Sequence, residues 1–510
     1  MKKFAVFFAI LFAGFQSRSQ NDLDAIRYSR LGVNGTSRYA AMGGAFGALG
    51  ADLSCSAYNP GGLGLYRKGD VSFGGGLRFT RNDGTVYGKT TNIADANFVF
   101  NNFGLSIAWP VKNDEESRHV VAFTNMQHQN FNEQTRLSAY TNNSSIAKDM
   151  LNIAEEKKNV GALNSNYEYM GYYVYVLDTA NNQFFSFVDT KRTVLQKRDI
   201  VTSGRMNELN FSYAYAYKDK YYIGASLGVP RITYTSTTTH SESDDKDSMK
   251  VTITSPSGAP ITYSTTYIDE LPVIYTDKLG FNSLTYQEYF STTGSGFNLK
   301  LGGVARINEY LRVGLYYHTP TILNLSDKYY NKMSASFDKD PNAVEEITDP
   351  ENGGYYDYKI ITPSRIGINT AFILGKQVAI GLDYELVNYR QASLSSKNLS
   401  DFAGVNTVIK NKYSSASNVR VGAEFNLKPL MIRAGYNMQG SPFGDVFTGS
   451  FVRNTISVGI GFRTKSNIYY DFAWMKTYSN EDYYMFNTIP QKSEIKYRNS
   501  QLAATIGIKF

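Results

Sequence analysis

From Asp70 to the C-terminus, hydrophobic and polar residues alternate along the chain with a period of two. Between Val419 and Phe425, for example, apolar side chains alternate with Arg420 and Glu424. Alternation of this kind predicts β-strands with one apolar and one polar face. It predicts about fourteen strands, at residues 70–80, 93–109, 119–132, 206–218, 220–234, 295–307, 310–325, 358–373, 377–391, 413–426, 429–440, 452–464, 467–478 and 497–510.

The connections between these strands are short and long in turn. The short ones are residues 218–220, 308–309, 374–377, 427–430 and 463–467, with a slightly longer turn at 109–119. The long ones are residues 133–205, 235–294, 326–357, 392–412 and 479–496. Short turns on one side and long loops on the other are typical of outer-membrane barrels. We therefore predict an all-β fold, a transmembrane antiparallel β-barrel of about fourteen strands over residues 70–510, with a soluble barrel or sandwich as the alternative.

Composition supports a barrel over a helical membrane protein. Aromatic residues make up 14% of the 510 residues, the mean hydropathy is −0.33, and beyond the N-terminus no apolar run is long enough for a membrane-spanning helix. The net charge of +7 is small for this length and the two signs are interleaved, so we predict no nucleic-acid partner. The single cysteine, Cys55, excludes an internal disulfide and is predicted to be a buried apolar residue, with a reactive thiol as the alternative.

The first 19 residues resemble a secretory signal peptide. Lys2 and Lys3 precede an apolar stretch from Phe4 to Phe15, and small residues follow before Gln20. Cleavage before Gln20 is the expectation, with an uncleaved anchor as the alternative. Together with the barrel, this segment predicts the outer membrane of a Gram-negative bacterium.

Residues 20–69 are predicted to form a hatch that plugs the lumen. The stretch from Gly35 to Tyr66 is rich in Gly and Ala, which makes it a poor strand and a poor long helix. Asn59 and Pro60 suit the first positions of a short helix, and Gly61 and Gly62 allow close packing. The alternative is an ordinary glycine-rich coil inside the barrel.

Many charged residues occupy the polar face of the predicted strands. Their mixed signs predict ion pairs that line the lumen wall and hold the plug, rather than a strongly ion-selective pore. The predicted lumen-lining residues are Arg306, Arg312, Arg365, Asp383, Glu385, Arg420, Glu424, Arg433 and Arg463, and Asp471 belongs to the same face.

No catalytic or metal-binding arrangement stands out. The histidines, at positions 119, 128, 240 and 318, are not at metal-ligand spacing. Asp383 and Glu385 lie two residues apart on one strand beside arginines, which favours a structural role over an acid–base pair. We therefore predict no enzyme activity, no cofactor and no metal, and the ligand-binding residues are not identified by sequence.

A helix is predicted inside the long connection 133–205. Ser144 or Ser145 can cap it. Its apolar stripe is formed by Ile146, Met150, Ile153 and Ala154. Two interpretations remain open, a helix folded over the barrel mouth or one wall of an external capture site for an apolar ligand.

Several motifs together resemble the FadL/TodX family of outer-membrane transporters for hydrophobic compounds (OmpP1-like). They are Ala41–Ala45 (AMGGA), Tyr58–Leu63 (YNPGGL), and the strand blocks Leu311–Pro320, Thr362–Tyr389 and Val419–Phe443. The hatch motif of that family is Asn-Pro-Ala, whereas this chain has Gly61 in the third place. The long connections 133–205 and 235–294 have no counterpart in the resemblance.

The resemblance implies passive uptake of long-chain fatty acids or similar compounds. In that family the ligand binds between outer loops, moves to a site near the hatch and leaves sideways at a strand kink. The third strand, His119–Asn132, has irregular alternation at Asn125 and Gln127, which suits a kink. The implied partners are hydrophobic small molecules, outer-membrane lipids and the barrel-assembly machinery, which would bind the C-terminal strand ending in Phe510. A haem receptor and an attachment module of a secretion system are the alternatives.

Overall fold

The computed structural model describes most of the chain after the predicted signal peptide. The described residues are 22–142, 144–180, 183–188, 192–246, 249–254, 260–264, 280–338, 340–375, 377–398, 400–444 and 451–510. Residues 1–19 lie outside this set. Eighteen strand segments form one antiparallel sheet, and two small hairpins lie apart from it.

The strands follow one another around the sheet in chain order. The segments of the large sheet are β1 (Asp70–Val86), β2 (Lys89–Val111), β3 (Asp114–Asn130), β4 (Glu133–Thr141), β7 (Val194–Tyr217), β8 (Tyr221–Ser243), β11 (Phe281–Arg306), β12 (Leu311–His318), β13 (Ile322–Phe337), β14 (Asp340–Ile361), β15 (Arg365–Leu374), β16 (Val378–Asn388), β17 (Ser393–Ser395), β18 (Ser415–Leu427), β19 (Leu430–Gln439), β20 (Arg453–Arg463), β21 (Ile468–Tyr484) and β22 (Lys492–Lys509). The small hairpins are β5 (Leu177–Ala180) with β6 (Gln183–Ser186) and β9 (Lys250–Thr254) with β10 (Pro260–Ser264).

The sheet closes on itself. Strand β1 pairs with β2 on one side and with the last strand, β22, on the other, where Val71 faces Ile508. Four spans, the third, seventh, eighth and ninth, each contain two segments, so the eighteen segments make fourteen spans. The prediction of a fourteen-stranded antiparallel barrel is confirmed.

The alternation in the sequence becomes the difference between the two faces of the wall. In β18, Arg420 is 4% exposed and points inward, whereas the next residue, Val421, is 39% exposed and points outward. Successive side chains of a strand leave opposite faces, so each span presents an apolar side outward and a polar side to the lumen. The outward face therefore carries a wide belt of exposed apolar side chains.

The strands extend further than the sequence pattern indicated at the long-loop end. The connection predicted at 326–357 is almost entirely strand, since β13 and β14 form a long hairpin there. The connection predicted at 133–205 contains β4 and the first part of β7, and β8 reaches Ser243 within 235–294. These corrections share a cause: the outer strand ends carry polar and aromatic residues on both faces, so they lack the apolar face that the alternation test detects.

The N-terminal segment, residues 22–69, lies inside the barrel. It contains two short helices, α1 (Asp22–Ser29) and α2 (Ser37–Ala41), followed by the 3-10 turns Leu53–Ala57 and Pro60–Leu65. Most of its side chains are buried against the inner wall. The segment fills the bore at the short-turn end, and it is called the plug below.

The long-loop end is covered by a compact cap around α3 (Ile146–Lys157) and α4 (Glu168–Tyr173). Ser145 caps α3 by accepting a hydrogen bond from the Ala147 amide, which confirms the predicted helix and one of its two candidate caps. Met150 and Ala154 on the apolar stripe are fully buried in the cap. The structure therefore favours a helix folded over the mouth, since Ile146, Met150 and Ala154 of the stripe are buried in the cap and Ile153 alone is half-buried.

One further helix, α5 (Ala403–Lys412), lies between β17 and β18. None of the helices in the described ranges is both long and apolar enough to span a membrane.

Candidate functional site: a plugged lumen and an interrupted wall

Asn59 joins the N-terminal segment to the barrel wall. Its Oδ1 accepts a hydrogen bond from the Gly61 amide at 3.1 Å and so caps the 3-10 turn that begins at Pro60. Its Nδ2 donates to the carbonyl of Gly47 at 3.0 Å and to Oδ1 of Asn369 in β15 at 3.1 Å. The same side chain thus shapes the turn and attaches it to the wall.

Glycine at position 61 is required by the close approach of the wall. A Cβ on Gly61 would lie 2.8 Å from the Cα of Gly303 in β11, which is closer than such atoms come. The structure therefore gives a physical reason for the departure from the Asn-Pro-Ala motif: here the turn packs backbone against backbone. A second contact of this type joins Gly43 to Gly435 in β19, where a Cβ would lie 2.1 Å from the Gly43 nitrogen.

A chain of ion pairs holds the first half of the N-terminal segment. Arg38 donates two hydrogen bonds, each of 2.9 Å, to the carboxylate of Glu424. Glu424 also accepts from Arg433 at 2.6 Å, and Arg433 donates to Asp471 at 2.5 Å. Two cations and two anions compensate one another here, which buried charges require.

A second ion-pair network surrounds Glu385. Its carboxylate accepts from Arg365 and Arg420, both at 3.1 Å, and from the Tyr316 hydroxyl at 2.8 Å. Arg365 also donates to the carbonyl of Ser29 at the end of α1. This network fixes the end of α1 to the wall.

The other predicted lumen residues divide into two groups. Asp383 accepts a hydrogen bond from the Gly47 amide at 3.1 Å, and Arg312 donates to the Leu49 carbonyl at 2.8 Å. Arg306 and Arg463 make no ion pair with any carboxylate of the described residues. The structure thus brings seven of the nine predicted residues into contact with the plug or with its ion pairs, and Arg306 and Arg463 are the other two.

A third buried network was missed by the sequence reasoning. Glu208 accepts from His128 at 2.7 Å and from Lys300 at 2.6 Å, and Lys300 also donates to Asn298 at 2.9 Å. Lys300 and Asn298 had the correct strand phase for the lumen, which is the signal that could have found them. Glu208 also has the lumen phase, since it alternates with the outward Leu209 and Phe211. His128 lies at the register shift between Gln127 and Gln129, where the phase cannot be read.

The wall is interrupted at the third span. Strands β2 and β3 are paired only from the short turn that joins them up to the pair formed by Asn102 and Met126. Further out, residues Lys89–Phe100 of β2 pair with β1 alone. The register of β3 against β7 shifts between Gln127 and Gln129, which is the predicted kink. Beyond it, β4 pairs with β7 and not with β2.

Strand β4 leaves the wall and passes inside the barrel. A Cβ on Gly84 of β1 would lie 2.3 Å from the carbonyl oxygen of Arg136, so the β4 backbone lies against the inward side of β1. We call the line between the outer part of β2 and the β3–β4 kink the seam. A side-chain rather than a backbone hydrogen bond spans it, since Asn130 donates to Asn97 at 3.3 Å. A neighbouring ion pair joins Arg78 of β1 to Glu133 of β4.

An aromatic cluster lies on the lumen side of the seam. Phe131, between β3 and β4, packs edge-on against Tyr28 of α1 at 6.2 Å and against Tyr234 of β8 at 5.2 Å, measured between ring centroids. Apolar residues of β13, β14 and α5 continue the cluster. The apolar interior of the barrel therefore reaches the interrupted part of the wall.

Cys55 and the histidines occupy structural positions. Cys55 is buried in the N-terminal segment, and burial, with a smaller contribution from Asp52, raises the pKa of its thiol. His240 contacts Glu242 at 3.0 Å, and His318 donates to the Tyr58 carbonyl at 2.6 Å. Among the described residues, no group of three or more His, Cys, Asp or Glu side chains is placed to hold a metal ion.

Comparisons with known proteins agree with this architecture. No model of a known protein family matches the chain, and no curated protein matches its sequence. A crystal structure of a Pseudomonas aeruginosa FadL homologue matches with a TM-score of 0.54 at 11% identity, over 94% of this chain and 100% of that one. The chain has a FadL-type fold.

Two further structures cover a similar share of the chain. The toluene transporter TodX of P. putida matches at 10% identity and a TM-score of 0.49, over 94% of this chain and 99% of that one. The monoaromatic hydrocarbon channel CymD matches at 12% identity and a TM-score of 0.48, over 94% and 98%. At 11% identity, the match to the FadL homologue shows the fold alone, and the ligand is a separate question.

Proposed function

We propose that this protein is an outer-membrane transporter that takes up hydrophobic compounds passively. The outward belt of the barrel supports a membrane location, since Ile223, Leu315 and Phe472 are each more than half exposed. A wide exposed apolar surface of this kind marks an interface with lipid or with another protein. Two of the neighbours named above are a toluene transporter and a monoaromatic hydrocarbon channel.

The observation that carries the proposal is the apolar cluster beside the seam. A lipid-like molecule pays about 0.8 kcal/mol for each CH₂ exposed to water, so an aqueous pore is a poor route for it. The bore at the short-turn end is filled by the N-terminal segment, which acts as the hatch in this proposal. A route from the Phe131 cluster through the seam leads to the lipid phase without crossing the plug.

The edges of the seam favour an amphiphile over a pure hydrocarbon. Buried amide groups of Asn97, Asn101 and Gln127 include atoms that have no hydrogen-bond partner in the described part of the chain. An unpaired buried polar atom costs about 1–3 kcal/mol, and a polar head passing along the seam would satisfy such atoms. We therefore propose a ligand with a long apolar chain and a hydrogen-bonding head, of which a long-chain fatty acid is the simplest example.

Binding to the full-length barrel in detergent tests this function. Phe131→Ala removes the ring between the lumen cluster and the seam, and we expect it to weaken binding of a radiolabelled long-chain fatty acid about ten-fold or more. Phe472→Ala is the matched control, because it removes an equivalent ring from the outward face. Equal affinities for both variants and the unmodified protein would contradict the proposed site.

Mass spectrometry of small molecules that co-purify with the barrel separates this function from its alternatives. Fatty acids or similar amphiphiles are the expected finding. Bound haem would favour a haem receptor, and a stable surface-protein partner without lipid would favour an attachment module.

A further inference from the structure

A cationic cavity at the short-turn end has no part in the route for hydrophobic compounds. It is a partly open cavity of about 280 Å³ between the plug and the wall. Its charged lining consists of Arg67, Arg118, Arg306, Arg312 and Asp219. The plug contributes Ala51 and Leu65 to the same cavity.

The charges in this cavity are out of balance. Asp219 is the single carboxylate of the lining, and it is shared by Arg67 and Arg118. Arg306 and Arg312 are direct cross-strand partners in β11 and β12. Like charges placed opposite each other on neighbouring strands destabilise the pair.

The hydrogen-bonding capacity of the arginines is also incompletely used. Arg118 is 6% exposed, and its Nε has no hydrogen-bond partner among the described residues. Arg312 donates only to the Leu49 carbonyl, and Arg306 makes no ion pair within the described residues. A guanidinium presents five donors in a planar fork that suits the oxygen atoms of phosphate and carboxylate groups.

We propose that this cavity binds a small oxyanion of the phosphate class, which connects the hatch to the barrel wall. Arg67 belongs to the hatch, whereas Arg118, Arg306 and Arg312 belong to the wall. Arg312 also contacts the hatch through the Leu49 carbonyl. An anion between them neutralises the Arg306–Arg312 repulsion and adds contacts that hold the plug. The group is free phosphate or the phosphate of a lipid headgroup, since both present negatively charged, unesterified oxygen atoms.

Titration of the detergent-purified full chain with inorganic phosphate, followed by calorimetry, tests the site. We expect one saturable site, with affinity reduced about ten-fold or more in Arg306→Gln. Arg231→Gln is the matched control, because it removes one positive charge from an exposed arginine outside the cavity, and its affinity should equal that of the unmodified protein.

A second arm distinguishes the source of the phosphate group. The barrel is placed in nanodiscs of phosphatidylglycerol or of phosphatidylcholine, and thermal stability is compared for both variants. Saturable binding of inorganic phosphate that Arg306→Gln weakens supports a free anion. Phosphatidylcholine also carries a phosphate, but its choline offsets the charge. Stabilisation by phosphatidylglycerol alone, lost in Arg306→Gln, therefore supports an anionic lipid headgroup.

A third readout protects the test against a folding defect. In buffer without phosphate and at low salt, Arg306→Gln should unfold at a higher temperature than the unmodified protein, because it removes the like-charge contact. The proposal would be overturned if the protein showed neither saturable phosphate binding nor stabilisation by the lipid headgroup. It would also be overturned if these effects were equal in Arg306→Gln and Arg231→Gln. Failure of this test leaves the uptake route unaffected, since the cavity lies on the other side of the plug.

Discussion

Arg38 in the N-terminal segment and Glu424 in β18 are joined by two parallel hydrogen bonds of 2.9 Å. This bidentate pair crosses from the plug to the wall and continues to Arg433 and Asp471. Because Arg38 and Glu424 are both mostly buried, separating them would leave two buried charges with less compensation, and the pair therefore resists movement of the plug.

Loss of this pair should make the plug open more often. Arg38→Gln leaves Glu424 with Arg433 as its remaining partner, so we expect a cost of about 2 kcal/mol. The fraction of open plug should then rise about 30-fold. The labelling rate of Cys55 by a maleimide reports this, because the thiol is buried when the plug is in place.

The control for this measurement is Arg231→Gln, which removes an exposed arginine of the wall. Its labelling rate should match that of the unmodified protein. Fast labelling of Cys55 in the unmodified, folded barrel would show that the plug does not occupy the position described.

Close backbone packing between plug and wall predicts a strong effect of a single methyl group. A Cβ on Gly435 would lie 2.1 Å from the Gly43 nitrogen, whereas a Cβ on Gly303 has its nearest neighbour at 3.6 Å. Gly435→Ala should therefore loosen the plug, seen as faster proteolysis of residues 22–69 in the folded barrel. Gly303→Ala should leave the cleavage rate unchanged, and similar rates in both variants would contradict the packing.

Gly61→Ala restores the family motif and tests why this chain departs from it. The added methyl would meet the Cα of Gly303 at 2.8 Å, a backbone atom that cannot move aside like a side chain. We expect a lower thermal unfolding temperature and faster Cys55 labelling. An unchanged or more stable variant would mean that the wall can yield at this position.

The alternation of residues was enough to predict the barrel, its strand number and the inward phase of residues such as Arg420 and Glu424. It failed where both faces of a strand are polar, as in β13 and β14 beyond the apolar belt, because no face then differs from the other. It also could not pair charges across the lumen. Glu208 and Lys300 are 92 residues apart, and only the closed barrel brings them within 2.6 Å.

The kink in the third span was predictable from irregular alternation, but its consequence was not. Periodicity shows that the phase is lost near Gln127. It cannot show that β4 then passes inside β1, because that depends on the absence of a side chain at Gly84 and on the pairing of β4 with β7.

The most direct test of the account is to close the seam chemically. Asn97 and Asn130 are hydrogen-bonded across it, so Asn97→Cys with Asn130→Cys, in a Cys55→Ser background, can be bridged by a short bifunctional thiol reagent. The matched control is Thr455→Cys with Thr477→Cys, which bridges two strands that are already paired. The readout is uptake of a radiolabelled long-chain fatty acid by a Gram-negative host that lacks a transporter of this type. The account predicts that bridging the seam abolishes uptake and that bridging the control pair does not. Undiminished uptake through a barrel with a bridged seam would contradict it.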